Sequence, residues 1–405
     1  MLEEWGRQLV QGVGRMFLNP LFYWSFIVLI IAGARRIREE RKYFGVKVND
    51  YFKEIERSFW LAFLFAFILS LLSLGLGFVW SQELIYLFAF VTIILSITGS
   101  FQLLAPAYTL GITFFLYMLV LIFFKESFSF TEGFSILSDR DGAMFALLLA
   151  LLMFVEAFLL MQAKEGDLFS RLRLSERGLW LGEQQVKRLL IVPVFLLIPT
   201  DTMDGVQPLL PYFQIGDTTY YITLLPFLLG SQLTSITTPM IVFKKRVVSQ
   251  KFLLATITLA LAILSFFHPF FILLTVLVAV IGTEWITYKN KLRNRYGVPF
   301  FAPQKEGIRV LTTLPGSRAK ELEILPGEII KKVNGIPVSN SHEFYEALQT
   351  SGAFFKLEVL DHNQEVRFIQ SAFYANDHHE LGLIFPEEPY EQRVTYMLKK
   401  VTKEK

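Results

Sequence analysis

His379-Glu380-Leu381-Gly382-Leu383 begins as a zinc-binding HExxH helix does, but Leu383 stands where the second histidine must be. A zinc site needs both histidines on one helical face, so this stretch offers half a site. Asp204-Gly205, in the acidic run IPTDTMDG (198–205), has a metal-ligand carboxylate and no histidine pair to complete. Glu156 is the one carboxylate in the middle of an apolar run, which by default makes it a functional candidate. A proton or ion path through it would need partners in other apolar runs. Those runs hold no Lys or Arg, and His268 and Glu284 lie near run ends. The chain has no cysteine, which removes disulfides, thiolate metal sites and Cys nucleophiles together. It also has no phosphate-cradling glycine loop. The expectation is a protein with no catalytic residues, no metal and no cofactor.

The elements around these residues are mostly apolar. The chain is 53% hydrophobic and 19% charged, with 41 Phe in 405 residues; soluble domains carry about 25% charged residues. Runs near or above the roughly 18 residues that span a bilayer fall at 17–34, 59–80, 84–103, 107–124, 143–163, 189–200, 220–243, 252–267 and 270–287. The sixth is short. The last two form one run broken at His268-Pro269, where proline favours a hairpin. No basic region of a cleavable signal is evident in MLEEWGRQLV. Lys and Arg concentrate at 35–57, 164–188, 244–251 and 289–295, whereas 201–219 has neither. With nine spans, that pattern puts the N-terminus outside and the C-terminus in the cytoplasm. Losing one span would reverse the N-terminus. The basic, aromatic loops 41–60 and 171–188 read as topology anchors, each cation favouring anionic lipid by about 1 kcal/mol, or as docking segments. Gly and Ser in 70–77 and 228–235 fit close helix packing.

From about Lys289 the composition turns soluble. The pattern predicts a strand at 307–313, a turn and short helix at 315–324, and a strand at 328–333 closed by Asn334-Gly335, a tight-turn dipeptide. An amphipathic helix at 341–349 follows, with Asn340 or Ser341 as N-cap and Phe344, Ala347 and Leu348 on one face. Two alternating strands, 354–360 and 365–373, complete it. GIRV, PGSRA and LPGEIIKKVNGIPV in this order resemble a bacterial PDZ domain. Two departures stand out: Glu321-Leu322-Glu323-Ile324 replaces small residues and Gly-Leu, and Glu328 replaces the usual Asp.

That resemblance implies a peptide bound as an added strand between a sheet edge and the helix. Tyr296-Gly297-Val298 is one candidate for the closing loop, but Pro299 cannot donate to a ladder. Leu381-Gly382-Leu383-Ile384 is similar to the closing strand of the permuted PDZ domains of membrane site-2 proteases. The implied groove lies between Leu383 and Phe385 on one side and Tyr345 and Leu348 on the other. Gly382 would face the peptide carboxylate, and His342 would read a hydroxyl or simply stand in water.

The whole layout, an α-helical multi-pass membrane domain followed by a small α+β PDZ-like domain, resembles the MinJ family of division topological determinants. An early NPLFYW (19–24) precedes the basic RRIREERK loop, and the PDZ-like part comes last. The expected organisation is a transmembrane domain at 1–288 with eight or nine helices, a linker at 289–302, a PDZ-like domain at 303–388 and a charged tail at 389–405. The resemblance implies an adaptor at division septa and poles, linking the Min inhibitor ATPase MinD to the scaffold DivIVA beside other divisome membrane proteins. Nothing points to nucleic acid. The alternative class is a PDZ-bearing regulator of proteolysis, or a degenerate site-2 protease.

Overall fold

The computed structural model describes residues 2–48, 59–123, 138–164, 167–199, 213–215, 218–304, 306–314, 316–350, 354–372 and 381–387. Helix α1 (Leu2–Met16) precedes α2 (Pro20–Phe44). Asn19 caps α2 by accepting the Leu21 N–H at 2.9 Å, with Pro20 in the first turn, and Gly45 ends it at φ 76°, the usual proline-in, glycine-out asymmetry. Then come α3 (Phe59–Leu76), α4 (Gln82–Ile97), a 3-10 turn at Phe101–Leu104, α5 (Pro106–Phe123) and α6 (Asp139–Met161). After a sheet come α7 (Met240–Leu264) and α8 (Phe270–Tyr296). Six of these, α2, α3, α5, α6, α7 and α8, are long and apolar enough to cross a membrane; α4 is apolar but shorter. Helix α6 sits at the centre, with 72% of its apolar stretch buried against 22% for α3.

The expected sixth span, 189–200, and most of the expected seventh, 220–243, are not helical over Leu189–Pro199 and Tyr220–Ser235; Met240–Phe243 already open α7. Those two stretches belong to two long strands, β2 (Trp180–Pro199) and β4 (Thr218–Ser235), paired antiparallel from Gln184↔Ser235 to Pro199↔Tyr220. With β1 (Leu168–Leu174) and β3 (Phe213–Ile215) they form a sheet in the order β1-β2-β4-β3. The physical reason is in the sequence. Pro193 and Pro226 each fall inside an apolar run, where they would break a helix. Here they stand opposite each other in the ladder, which a sheet tolerates where the facing pair needs no hydrogen bond. Backbone among apolar helices must still be satisfied. The Phe195 N–H donates to Ser70 Oγ at 3.2 Å, and the Trp80 and Leu197 N–H groups donate to the Leu197 and Phe78 carbonyls, both at 2.9 Å. The α3–α4 turn thus covers the edge of β2. Beneath it Trp80, 1% exposed, stacks on Phe145 with ring centroids 5.4 Å apart and meets Phe88 and Phe227 edge-on. Helix α1 lies on the same end of β4: Arg15 donates to the Ile222 carbonyl at 2.6 Å and covers the Tyr221 ring.

The C-terminal part follows the expected order closely. It holds β5 (Ile308–Arg309), β6 (Thr312–Thr313), α9 (Arg318–Glu321), β7 (Ile329–Val333), β8 (Ile336–Pro337), α10 (Ser341–Gln349), β9 (Phe354–Leu360), β10 (Val366–Ala372) and β11 (Leu383–Ile384). The expected strand 307–313 is split: β5 joins the sheet β10-β9-β7-β5, and β6 pairs with β11. Asn334 and Gly335 both have positive φ, the type I′ requirement of a two-residue hairpin. Glu328 is 2% exposed because Arg367 Nη2 reaches both its oxygens, at 3.0 and 2.9 Å, and the Leu325 N–H donates to it.

The expected linker also differs. Helix α8 continues to Tyr296, and Asn294 near its end donates to the Thr234 carbonyl at 2.6 Å. The Phe300 N–H then donates to the Ile236 carbonyl, and the Gly182 N–H to the Phe301 carbonyl, both at 2.8 Å. Phe301, Leu311 and Leu172 form a small shared core beside Tyr43, Phe44, Trp180 and Ile384. The connection is docked on β2, and Leu311 and Ile384 of the C-terminal part pack in the same small core.

Candidate docking site

Asn340 caps α10 by accepting the Glu343 N–H at 2.9 Å, and Glu343 in turn accepts bonds from Ser339 and Asn340. These bonds, with Ser339 first, hold the Glu343 carboxyl below its ordinary pKa. The helix lays Phe344, Ala347 and Leu348 on the sheet, all buried. Opposite it runs Leu381–Phe385, held from behind: the Leu314 N–H donates to the Gly382 carbonyl (2.8 Å), Ala319 to Leu381 (3.0 Å) and Leu311 to Ile384 (2.8 Å). Gly382 has φ 75°, and a Cβ there would collide with Ser317.

Sequence reasoning expects a groove between this strand and the helix, and the structure brings those residues together. Leu381, Leu383, Phe385, Tyr345 and Leu348 share one cluster. Phe344 and Phe385 meet edge-on at 5.3 Å, and Tyr345 Oη donates to the Leu383 carbonyl at 3.4 Å. The strand and helix therefore close on each other through their own side chains. Ile384 points the other way, toward the core shared with β2. His342 is 87% exposed, with Nδ1 at 3.6 Å from Glu346 on its own helix. Sequence reasoning misses Glu387, which accepts the Ser341 N–H at 2.6 Å and its hydroxyl as well, covering the helix start with a carboxylate where the dipole favours one. The Tyr296–Val298 alternative ends a helix: the Gly297 N–H donates to the Arg293 carbonyl.

Glu156 has partners after all. Lys251 Nζ lies 2.5 Å from it and Ser231 Oγ donates at 3.2 Å, with Glu156 2% exposed. By charge Lys251 reads as a loop residue ahead of the 252–267 run; α7 starts eleven residues earlier and carries it inward. The arrangement is a buried ion pair tying α6, α7 and β4 together. Asp204, His378, His379 and Glu380 lie outside the described residues, within which no three His, Asp or Glu side chains gather as metal ligands would.

These features define a polytopic membrane protein with a docked C-terminal α+β domain. No family model matches the chain. It is 29% identical over 400 residues to the cell division topological determinant MinJ of Bacillus subtilis (strain 168), covering 96% of this chain and 98% of that protein. Probable MinJ proteins of Lacticaseibacillus paracasei and Lacticaseibacillus casei (strain BD-II) are each 33% identical over 84 residues, 20% of this chain and 23% of theirs. The chain is MinJ-like along nearly its whole length.

Proposed function

We propose that this protein is a membrane-anchored adaptor in division-site selection. The observation that carries the reading is the likeness, over 96% of the chain, to a protein named as a cell division topological determinant. The adaptor bridges a MinD-like ATPase and a DivIVA-like scaffold, beside other membrane proteins of the division machinery, at septum and poles. Its mechanism is recruitment without turnover. Anchoring confines a weak binding module to two dimensions and raises its effective concentration.

The C-terminal domain, PDZ-like, faces the cytoplasm. Basic residues at the ends of α2 and α8 and at the start of α7 support that orientation. With two expected spans folded as strands, an outside N-terminus requires the shorter helix α4 to cross together with the six longer ones. A partner peptide adds to the strand Leu381–Phe385 beside Tyr345 and Leu348, with Gly382 at its carboxylate and His342 beside its side chains. Entry requires the Tyr345–Leu383 hydrogen bond to open.

Imaging of a fluorescent fusion tests the function. Midcell and polar enrichment is expected, with displaced septa after deletion. A uniform membrane signal with normal septa overturns the adaptor role. Gly382→Trp should weaken partner recruitment while the protein stays in the membrane; intact recruitment excludes Leu381–Phe385 as the binding strand.

A further inference from the structure

A cleft of about 430 Å³ opens where α2 and α4 meet β1, β2 and β4. One face of α2 lines it from end to end: Trp24, Val28, Ile31 and Ala32, then Arg35 and Arg36. The spacing is that of a single helical stripe. From Trp24 to Arg35 it rises about 16 Å, close to one leaflet of a bilayer whose hydrocarbon core is about 30 Å thick. The apolar half is continuous with exposed Ile27 and Ile30 of α2 and Ile94 and Ile97 of α4. Trp24 is fixed there by donating to Ser96 Oγ at 2.7 Å.

The other half is cationic. Arg171 and Lys187 enter from β1 and β2, so among the described residues four cations line the cleft with one carboxylate, Glu39, which pairs with Arg171 at 3.3 Å. Lys187 stands opposite Gln232 in the ladder, and among the described residues the buried Gln232 Oε1 atom has no hydrogen-bond partner. Arg36, packed over Phe169 at 4.8 Å and beside Glu40, forms the wall. Gly99, at φ 72°, lies against the Arg35 guanidinium, which a Cβ there would displace.

We infer that this cleft holds an anionic phospholipid, its phosphate among Arg35, Arg171 and Lys187 and an acyl chain along Trp24–Ala32. A free phosphate would satisfy the cations and leave the apolar half of the cleft empty. Basic pockets beside cytoplasmic helix ends are where such headgroups bind. The bound lipid would bridge α2, α4 and the sheet, tying the membrane helices to the surface on which the C-terminal domain docks.

Native mass spectrometry of the full chain in mild detergent tests this, with phosphatidylglycerol, cardiolipin and phosphatidylcholine as probes. Preferential binding of the anionic lipids is expected, falling about thirtyfold in Arg35→Gln/Lys187→Gln, which removes two charges. A variant with equal charge loss elsewhere, Lys245→Gln/Arg246→Gln, should bind as the parent does. Gly99→Asn, whose Cβ displaces Arg35 without removing charge at a φ that Asn tolerates, should also weaken binding and replaces the double variant if that fails to fold. Equal loss in the control variant, equal binding of phosphatidylcholine, or unchanged binding in the site variants overturns the proposal. So does full competition by inorganic phosphate or glycerol phosphate, which would make the site one for free phosphate.

Discussion

The sheet β1–β4 and the sheet of the C-terminal domain are joined through the connection, where the Gly182 N–H donates to the Phe301 carbonyl, yet they handle polar groups differently. In the first, Arg188 of β2 meets Asp167 at 2.6 Å with 1% and 3% of their side chains exposed. Glu156 and Lys251, beside β4, are almost as enclosed. In the second, Glu328 is equally buried but its partner Arg367 is 36% exposed. Charges buried where a sheet is held among apolar helices must be neutralised internally. A sheet with one wet face can leave one partner in water. The difference teaches where each region is brittle.

The largest effect is expected from Arg188→Met. It leaves the Asp167 carboxylate buried without its guanidinium, a loss of about 3–5 kcal/mol. Replacing both, as Arg188→Met/Asp167→Leu, should recover most of it, because a matched apolar pair carries no desolvation cost. Hydrogen exchange of β1 and β2 in detergent-solubilised full chain measures this locally, which matters because one global transition is not expected of so composite a chain. If the single variant exchanges like the parent, the pair is solvated and the contrast between the sheets fails.

Next comes Gly230→Ala. On β4, a Cβ here would lie 2.5 Å from the Phe101 carbonyl oxygen and 2.7 Å from Leu104 Cβ. Overpacking of that kind costs about 1–3 kcal/mol. Were 220–243 a helix, the same change would stabilise it by up to about 1 kcal/mol. The sign of the change in hydrogen exchange along β4 therefore separates strand from helix at this position.

That position also shows how far the sequence can be read. In the C-terminal domain each element has a wet face, so periods of 2 and 3.6 stand apart; spacing alone assigns Phe344, Ala347 and Leu348 to one buried face. Leu189–Pro199 and Tyr220–Gly230 have no wet face. Hydropathy alone then reads strand as helix. The available signal is Pro193 and Pro226, each in the middle of its run. The Glu156 partner is hidden similarly, because charge assigns Lys251 to a loop when helical phase carries it inward. The groove residues follow from a resemblance, but Glu387 at the helix start carries no such signal.

A smaller effect is expected from Arg367→Met. Glu328 keeps the Leu325 N–H as Asp167 keeps that of Lys164, but the lost guanidinium was partly in water, so the cost should be about 1–2 kcal/mol. Exchange from β7 and β10 reads it. A loss as large as that of Arg188→Met would erase the distinction between the two sheets.

The smallest effect is the titration of Glu343, the exposed end of the same contrast. Its folded pKa lies below the ordinary 4.5 because Ser339, and then Asn340, donate to the charged form. A carboxyl depressed on folding adds stability that is fully present above its unfolded pKa. That stability is lost as pH falls from about 4.5 through the lower folded value. Other carboxylates titrate in the same window, so the readout is a difference between parent and Glu343→Gln. Protection of the first turn of α10 should be higher in the parent at neutral pH, and the two should converge in acid. A constant gap across that window would mean that Glu343 holds the cap by its shape and not by its charge.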